Sequence, residues 1–294
     1  MKRNAIARII IFSIVIFILI GILATALISD LFSFRNPGSF RVDLFSSSEG
    51  GTISSQGTVS ADSVSNICVE WVAGNIRVIP GDTDQIIFEE YGAKNDDEIM
   101  VWKQTGNQLT IQYCKDTVNF DIISFGVDID YSKDLTITVP SSWICKELEI
   151  DSASAELEIT GLTLKEVDVN TASGTIFMDQ CEVEELSIET VSGDVDFTGS
   201  ITTLSCNGVS ANCEINAMNV PKSIEMEGVS GNLDLWIAED CGFNASIETV
   251  SGRFSSDFAT TTQNGNYVYG DGACRIEMEG VSGDINIHKL STTK

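Results

Sequence analysis

The chain has a single histidine, His288, among its 294 residues, which limits the catalytic chemistry open to it. A nucleophilic serine needs a neighbouring base, and one imidazole near the C-terminus can serve at most one of the many serines. The stretch Gly228–Asn232 also fails the nucleophile-elbow pattern, because Asn232 stands where that pattern requires glycine. The sequence therefore predicts no catalytic residue and no enzymatic activity.

None of the eight cysteines belongs to a Cys-x-x-Cys pair, and no cluster of cysteine and histidine occurs. These absences argue against a structural zinc site, which is built from such spacings. Cys206 and Cys213 stand where other copies of the repeat described below carry isoleucine or valine, so they are interpreted as small core residues. One or two disulfide bridges are compatible with an exported domain, and the sequence assigns no pairing. No metal site and no cofactor-binding residue is predicted.

Basic residues are scarce, and three of them precede the first acidic residue. There are 17 basic and 43 acidic residues, and Lys2, Arg3 and Arg8 precede Asp30, the first acidic residue. The remainder carries 43 acidic against 14 basic side chains, a formal charge of −29. A field of this sign repels phosphate backbones and anionic headgroups, so binding to nucleic acid or to a lipid surface is not expected.

An uncharged apolar run of twenty residues extends from Ile9 to Ile28. As a helix it is long enough to cross a hydrocarbon core of roughly 30 Å, and the basic residues before it place the N-terminus in the cytoplasm. The alternative is a cleaved signal peptide, because Ala24–Ala26 fits a cleavage site. We predict a cytoplasmic stub and a single-pass transmembrane anchor over residues 1–30. A flexible spacer is predicted over residues 31–63, where serine and glycine are abundant.

A phrase of about ten residues recurs eight times along the rest of the chain. The clearest copies, Ile224–Gly231 and Ile276–Gly283, are identical over eight positions. From Ser154 onward, successive copies are 18 to 21 residues apart, except for a last interval of 31. Such a period is typical of an array whose units bury their apolar faces by stacking. The copies centre on Ala73, Ser154, Ser173, Ser192, Ser210, Ser230, Ser251 and Ser282.

Each copy is predicted to contain two short strands that meet at a corner. Apolar residues occur six and four positions before the centre and three and five positions after it, as in Leu148, Ile150, Leu157 and Ile159. Each half alternates with period two, but the odd number of steps between the halves reverses the inward parity. A bend at the Val-Ser-Gly phrase satisfies both halves.

The predicted fold is all-β: a single β-solenoid with rungs of about 20 residues, preceded by one transmembrane helix. Consecutive copies are expected to stack directly on each other. The extracytoplasmic solenoid spans residues 64–294, with N-terminal rungs and a cap over 64–145 and regular repeats over 146–294. Strands in the less regular part are expected at Gln85–Tyr91, Glu98–Lys103, Gln108–Tyr113 and Leu135–Val139.

Repeated strands of the form Thr/Gly-Val-Ser-Gly-Asp-Val after an N-terminal anchor resemble the DUF4097 group of bacterial β-strand-repeat proteins, which are proposed adhesins. The resemblance covers about Val64 to the C-terminus. It implies a membrane-anchored surface protein, and similar domains are attached to regulators of cell-envelope stress. The family supplies no catalytic residues to carry over.

Acidic residues recur at outward-facing positions of the repeat. Stacked rungs would bring like charges to about 5 Å, which costs some tenths of a kcal/mol per pair. These carboxylates are either simply solvated or bind Ca²⁺ weakly, since oxygen ligands suit that ion. The residues three positions before the centres from Ser154 onward are Asp151, Asn170, Glu189, Asn207, Glu227, Glu248 and Glu279.

An enzyme active on acidic polysaccharides is the catalytic alternative. Such a site needs a groove, built by long loops that leave the rungs, where carboxylates and often a basic residue converge. Rung spacings of 18 to 21 residues leave no room for groove-forming loops. Only the last interval, of 31 residues, is long enough to contain them. There Tyr267 and Tyr269 would either stack on a sugar ring or pack within the protein. Asp257 and Asp271 are the carboxylates that such a site would use.

Flat strand faces without a predicted pocket favour an envelope protein or a cell-wall component as partner over a small-molecule substrate. We predict a non-catalytic, adhesin-like binding or scaffolding module at the bacterial cell envelope, tethered to the membrane by its N-terminal helix. The alternative is an ectodomain that regulates an envelope-stress signalling system through its anchor.

Overall fold

The computed structural model describes residues 53–114 and 132–290, which form seventeen strands and two short 3-10 turns. Strand pairing joins all seventeen strands into one continuous sheet that winds into a coil. The all-β prediction is confirmed. In these two ranges no helix has the length and apolar character needed to span a membrane. The predicted anchor, residues 1–30, and the spacer up to residue 52 lie outside the described residues.

The strands are numbered in chain order. They are β1 (Ile53–Ser60), β2 (Asn66–Gly81), β3 (Gln85–Tyr91), β4 (Val101–Thr105), β5 (Gln108–Gln112), β6 (Asp134–Pro140), β7 (Ile144–Thr160), β8 (Thr163–Ser173), β9 (Ile176–Ala217), β10 (Ser223–Ser230), β11 (Leu233–Ile237), β12 (Phe243–Thr249), β13 (Phe254–Ser256), β14 (Thr261–Gln263), β15 (Asn266–Tyr269), β16 (Cys274–Ser282) and β17 (Ile285–Lys289). The 3-10 turns are Ala61–Ser63 and Asp96–Glu98.

Each rung, named here by its central residue, has two half-strands around a corner, as the parity of its apolar residues predicts. In the Ser154 rung, Leu148 and Ile150 are buried before the corner, and Leu157 and Ile159 are buried after it. Both halves therefore face one interior. Full burial of an aliphatic side chain of this size contributes about 1.5–3 kcal/mol, so the repeated pattern drives the stacking.

Equivalent positions of neighbouring rungs are in register, which aligns their side chains in columns. Ala73 pairs with Ser154, and Ser173 pairs with Ser192 in the same parallel sense. Ser230 pairs with Ser210 on one side and with Ser282 on the other. The corner serines thus form the ladder expected of a stacked repeat rather than one distinctive site.

Glycine is required at the corner because neighbouring backbones approach each other closely there. A Cβ atom on Gly228 would lie 2.2 Å from the carbonyl oxygen of Gly208. A Cβ atom on Gly280 would lie 2.4 Å from the carbonyl oxygen of Gly228. The glycine of the Val-Ser-Gly phrase is under the same constraint, since a Cβ atom on Gly231 would lie 2.0 Å from the carbonyl oxygen of Ala211. This glycine is therefore a packing requirement of the stack.

The stacking order departs from the chain order at the C-terminal end. β16 pairs in parallel with β10 on one side and with β12 on the other, so Ile276 lies between Ile224 and Ala245. β17 likewise lies between β11 and β13. The prediction that consecutive copies stack directly is wrong here, because the Ser282 rung is inserted between the Ser230 and Ser251 rungs.

The long last interval makes this insertion possible. It contains the antiparallel hairpin β14–β15, and β15 also pairs with β12 in the outermost rung. The hairpin gives the chain enough length to pass over that rung and return beneath it. There Ile276 and Met278 pair with the identical residues Ile224 and Met226.

The N-terminal end has the same inserted arrangement. β2 lies between β7 on one side and the later strands β5 and β6 on the other. β1, β3 and β4 run antiparallel to their partners and cover this end of the coil. Of the predicted strands, Gln85–Tyr91 coincides with β3, while Gln108–Tyr113 and Leu135–Val139 match β5 and β6 within a residue. The predicted Glu98–Lys103 is displaced, since a 3-10 turn ends at Glu98 and β4 begins at Val101.

Residues 53–63 were expected to belong to the flexible spacer, and this expectation is wrong. Ile53–Ser60 forms β1, which pairs with β3 along most of its length. Val59 is buried, and a Cβ atom on Gly57 would overlap the Phe88 ring at 2.1 Å. The open edge of β3 needs a strand partner, and this serine-rich segment provides one.

Candidate functional site

The Val-Ser-Gly corners place a row of valines on one edge of the stack. In spatial order the row, called here the valine ridge, consists of Val191, Val209, Val229, Val281 and Val250. Val191 and Val250, at its two ends, are 54% and 67% exposed. The backbone N–H of Val250 donates to the carbonyl oxygen of Val281 at 3.1 Å, which continues the row across the inserted rung. Four rung steps of roughly 4.8 Å make the ridge about 19 Å long.

A column of acidic residues runs beside the ridge, three positions before each rung centre. Glu279 pairs with Glu227 in one neighbouring rung and with Glu248 in the other. Burial raises the pKa of the Glu279 carboxyl, and the charges of Glu227 and Glu248 raise it further. Because of the inserted rung, Glu279 rather than Glu248 is the neighbour of Glu227.

The residues two positions after each rung centre form a second column, on the other side of the ridge. Hydrogen bonds join these residues from one rung to the next. The Asn212 amide donates to Oδ1 of Asp194 at 2.9 Å, and the Asn232 amide donates to Oδ1 of Asn212 at 3.3 Å. The backbone N–H of Asp284 donates to Oδ1 of Asn232 at 3.0 Å, and Arg253 pairs with Asp284 at 3.2 Å. Amides between the carboxylates reduce the repulsion that a continuous acidic column would have.

A small crevice lies behind the ridge, between Cys206, Met226 and Met278 and under the corner glycines. Its volume is about 20 Å³, which is close to the space needed for one water molecule. An organic ligand does not fit there. The chemical character of this region is therefore that of an outer surface, with an apolar ridge between two polar columns.

The single histidine lies on a different part of the stack, in β17. Its ring stacks on that of Trp236, with 4.7 Å between centroids. Nδ1 of His288 is 3.4 Å from Oδ2 of Asp257, and Nε2 is 3.7 Å from Oδ1 of Asp234. The described partners of His288 are thus carboxylates and an indole ring rather than a serine hydroxyl.

The aromatic residues of the last interval pack against the outermost rung. Tyr267 stacks on Phe254 with 4.0 Å between centroids, and Tyr269 lies 4.7 Å from Phe258. The Tyr269 hydroxyl donates to the carbonyl oxygen of Glu239 at 3.0 Å. This favours the packing interpretation of the tyrosines over a sugar-binding platform.

The structure gives Asp257 and Asp271 different local partners. Asp257 contacts His288 and accepts from the backbone N–H of Lys289 at 3.3 Å, whereas Asp271 accepts from the backbone N–H of Ala273 at 3.1 Å. Across residues 53–114 and 132–290, no group of three or more His, Cys, Asp or Glu side chains is arranged to hold a metal ion. Weak Ca²⁺ binding by the outward carboxylates stays a prediction.

A buried ion pair at the N-terminal end escaped the sequence analysis. Lys133 contacts the Glu90 carboxylate, and both side chains are almost fully buried. The Lys133 amino group also donates to the carbonyl oxygens of Tyr113 and Glu98, and it lies 3.7 Å from the centre of the Tyr113 ring. Burial lowers the pKa of Lys133, while the Glu90 charge opposes this shift. The sequence held one indication, since Glu90 follows Ile86 and Phe88 on the inward parity of β3.

Several solved structures resemble this chain at low sequence identity. A proposed cell adhesion protein from Clostridium sporogenes ATCC 15579 is 14% identical over 80% of this chain and 99% of its own, with a TM-score of 0.35. A proposed adhesin from Bacteroides fragilis NCTC 9343 is 14% identical over 79% of this chain and 95% of its own, with a TM-score of 0.45. A proposed lipid-binding protein from Parabacteroides distasonis ATCC 8503 is 13% identical over 81% of this chain and 96% of its own, with a TM-score of 0.40.

No curated protein sequence matches this chain. The family model described as Toastrack DUF4097 matches it twice, over residues 64–205 and 145–288, and so covers most of its length. The two matches overlap in the regular rungs, as expected when one repeat pattern extends through the whole stack. The chain therefore belongs to the DUF4097 (Toastrack) family.

Proposed function

We propose that this protein is a non-catalytic binding or scaffolding module of the bacterial cell envelope, held to the membrane by residues 1–30, and that the valine ridge docks an envelope protein. The observation that carries the proposal is the ridge itself. Five β-branched apolar side chains lie in adjacent rungs, partly exposed in the middle of the row and exposed at its two ends. A continuous apolar strip of this kind is more typical of a contact surface than of a solvated one.

Charge indicates the chemistry of the partner. The column beside the ridge contains Glu189, Glu227, Glu279 and Glu248, and the exported chain is strongly acidic as a whole. A second copy of the chain would bring like charges together, which opposes self-association through this edge. A protein with an apolar groove bordered by lysine or arginine is complementary to it. Because the crevice behind the ridge has room for about one water molecule, a small-molecule ligand is disfavoured.

Site-specific photocrosslinking in intact cells tests the ridge directly. A photoreactive amino acid is introduced at Val250 in the full chain, and a matched variant carries it at Val220, which is 49% exposed but lies outside the ridge. We expect a discrete protein adduct from position 250 that is absent from position 220. Equal labelling at both positions, or adducts with cell-wall fragments alone, would reject an envelope protein as the ridge partner.

Charge reversal tests the acidic border separately. Glu227→Lys and Glu248→Lys change the column beside the ridge, whereas Glu214→Lys changes an exposed carboxylate on the second half-strand. We expect the first two variants to weaken the crosslink from position 250, with the third close to the unchanged chain. If all three act alike, net charge rather than the local column controls binding.

The anchor distinguishes a binding module from a regulator of envelope stress. An exported chain without residues 1–28 should keep its ridge-dependent crosslink if binding is the function. A regulatory ectodomain would lose its signalling output in the same experiment. Protease protection of the N-terminus in membrane vesicles checks the predicted single-pass orientation independently.

A further inference from the structure

The Ser210 rung differs from all the others at the two inward positions nearest its corner. It carries Cys206 four residues before the centre and Cys213 three residues after it. Both substitutions occur in the same copy, although each position is apolar in every other copy. The corresponding pairs are Val69/Ile76, Ile150/Leu157, Val169/Ile176, Ile188/Val195, Met226/Leu233, Ile247/Phe254 and Met278/Ile285.

The fold brings these two cysteines together inside the corner. Their Sγ atoms are 3.3 Å apart, with the Cys213 thiol donating to Cys206. Each residue is only 1% exposed. A disulfide has an S–S bond of about 2.05 Å, so bond formation requires each sulfur to move by roughly 0.6 Å. The seven-residue separation is spanned by a corner that the neighbouring rungs already hold in place.

Two other buried cysteines, Cys181 and Cys145, have different surroundings. The Cys181 thiol faces the carbonyl oxygens of Ile159 and Asp179, each at 3.4 Å. The Cys145 thiol faces the carbonyl oxygen of Glu147 at 3.3 Å. These contacts are those of single core thiols. The contact between Cys206 and Cys213 is instead between two groups that can react with each other.

We infer that Cys206 and Cys213 are a site of oxidative modification and form a disulfide across the corner of the Ser210 rung. The oxidant belongs to the class of disulfides, either an oxidised thiol–disulfide oxidoreductase or a low-molecular-weight disulfide. An exported, extracytoplasmic domain meets such oxidants. The inference does not depend on the valine ridge or on its partner.

The reaction proceeds by two thiol–disulfide exchanges. The Cys206 thiolate attacks one sulfur of the oxidant, which breaks the oxidant's S–S bond and releases its other sulfur as a thiolate. The Cys213 thiolate then attacks the Cys206 sulfur of the mixed disulfide, forms the intrarung bond and releases the second oxidant thiolate. Two electrons pass to the oxidant, and the two cysteine protons pass to solvent or to the released thiolates.

The hydrogen bond from Cys213 indicates which sulfur reacts first. It lowers the pKa of Cys206, against the effect of burial, and the same interaction together with burial raises the pKa of Cys213. Cys206 also borders the crevice behind the ridge, whereas Cys213 does not line it. Both features favour Cys206 as the thiolate that attacks the oxidant first, as the corner opens or as the chain folds.

Thiol mapping of the exported full chain tests the inference. The protein is extracted in detergent, denatured in the presence of N-ethylmaleimide, and digested without reduction. We expect a linked peptide pair containing Cys206 and Cys213, an intact mass lower by about 2 Da than that of the reduced chain, and full labelling of Cys181. Quantitative maleimide labelling of both Cys206 and Cys213 after exposure to excess oxidised glutathione would overturn the inference.

Thermal unfolding gives a second, independent readout. In the entropic treatment of a loop this short, the bond raises the melting temperature of a domain of this size by roughly 5–10 °C, so a reductant should lower it by that amount. The double variant Cys206→Val with Cys213→Val restores the apolar pair of the other rungs and should fold without responding to the reductant. The Cys181→Ala variant should keep the full response. A reductant effect that persists in the valine variant would assign the response to other cysteines and refute the bridge.

Discussion

Replacement of Lys133 by methionine tests whether the buried ion pair holds the N-terminal end of the stack together. The Lys133 amino group contacts the carboxylate of Glu90, which is fully buried, and donates to the carbonyl oxygens of Glu98 and Tyr113. It thereby links β3, the second 3-10 turn and the end of β5. Methionine has a similar length but removes the charge and all three donated hydrogen bonds, which leaves the Glu90 carboxylate without its counter-ion.

The expected loss follows from the burial of the pair. Removing one partner of a buried ion pair costs about 3–5 kcal/mol, whereas an exposed pair contributes about 0–1 kcal/mol. For a domain of this size, the larger loss lowers the melting temperature by roughly 6–20 °C. Urea and thermal unfolding of the full chain in detergent measure it. Lys165→Met, which breaks the exposed pair with Glu184, is the matched control and should cost under about 1 kcal/mol.

A double variant separates the charge from the packing. Lys133→Met combined with Glu90→Leu removes both charges and leaves apolar side chains of similar size. We expect it to be more stable than Lys133→Met alone, by about 2 kcal/mol or more, because no unpaired charge remains buried. If Lys133→Met costs no more than Lys165→Met, or if the second substitution lowers stability further, the assignment of the pair as a buried electrostatic link is wrong.

Three further predictions concern the corner and its columns. Glu279→Gln should raise stability by about 0.5 kcal/mol at pH 7, on the scale of like-charge cross-strand pairs. Because the pKa of Glu279 is raised from 4.5, its repulsion of Glu227 and Glu248 develops only as the pH rises above that value, so urea unfolding at pH 4 should show little difference between the variant and the unchanged chain. Gly228→Ala should destabilise by about 1–3 kcal/mol, because its Cβ would lie 2.2 Å from the Gly208 carbonyl oxygen, and an unchanged melting temperature would contradict the close approach. Asn232→Asp should lower the melting temperature in low salt by roughly 1–3 °C and less in high salt, because it replaces an amide donor with a carboxylate beside Asp284; a salt-independent loss would point to packing instead.

The rung was predictable because its determinants are local. Alternation at Leu148 and Ile150 and the reversed alternation at Leu157 and Ile159 indicate two half-strands around a bend, and the structure confirms both. The glycine of the corner phrase was expected for its conformational freedom. The structure adds a packing reason, which is the close approach of the Gly231 and Ala211 backbones.

The candidate surface was predictable only in part. The acidic positions, including Glu227 and Glu279, followed from the repeat, and the structure places them in one column. The valine ridge was not predicted, because the period-two pattern identifies inward-facing residues and the valine lies in the bend between the two patterns. Contact between Cys206 and Cys213 was not predicted either. The repeat relates each cysteine to the equivalent position in other copies, whereas the contact joins two positions of one copy across its corner.

By itself the sequence determined the unit: a strand, a corner that needs glycine, and a second strand of opposite parity, repeated along an acidic chain. Only the tertiary structure decided the order in which the units stack. The Ser282 rung fits beside either the Ser230 or the Ser251 rung because its inward residues match both, and nothing local distinguishes these neighbours. The choice depends on the β14–β15 hairpin covering the outer rung and on Ile276 and Met278 pairing with their counterparts in β10, which are long-range contacts that no window of sequence contains.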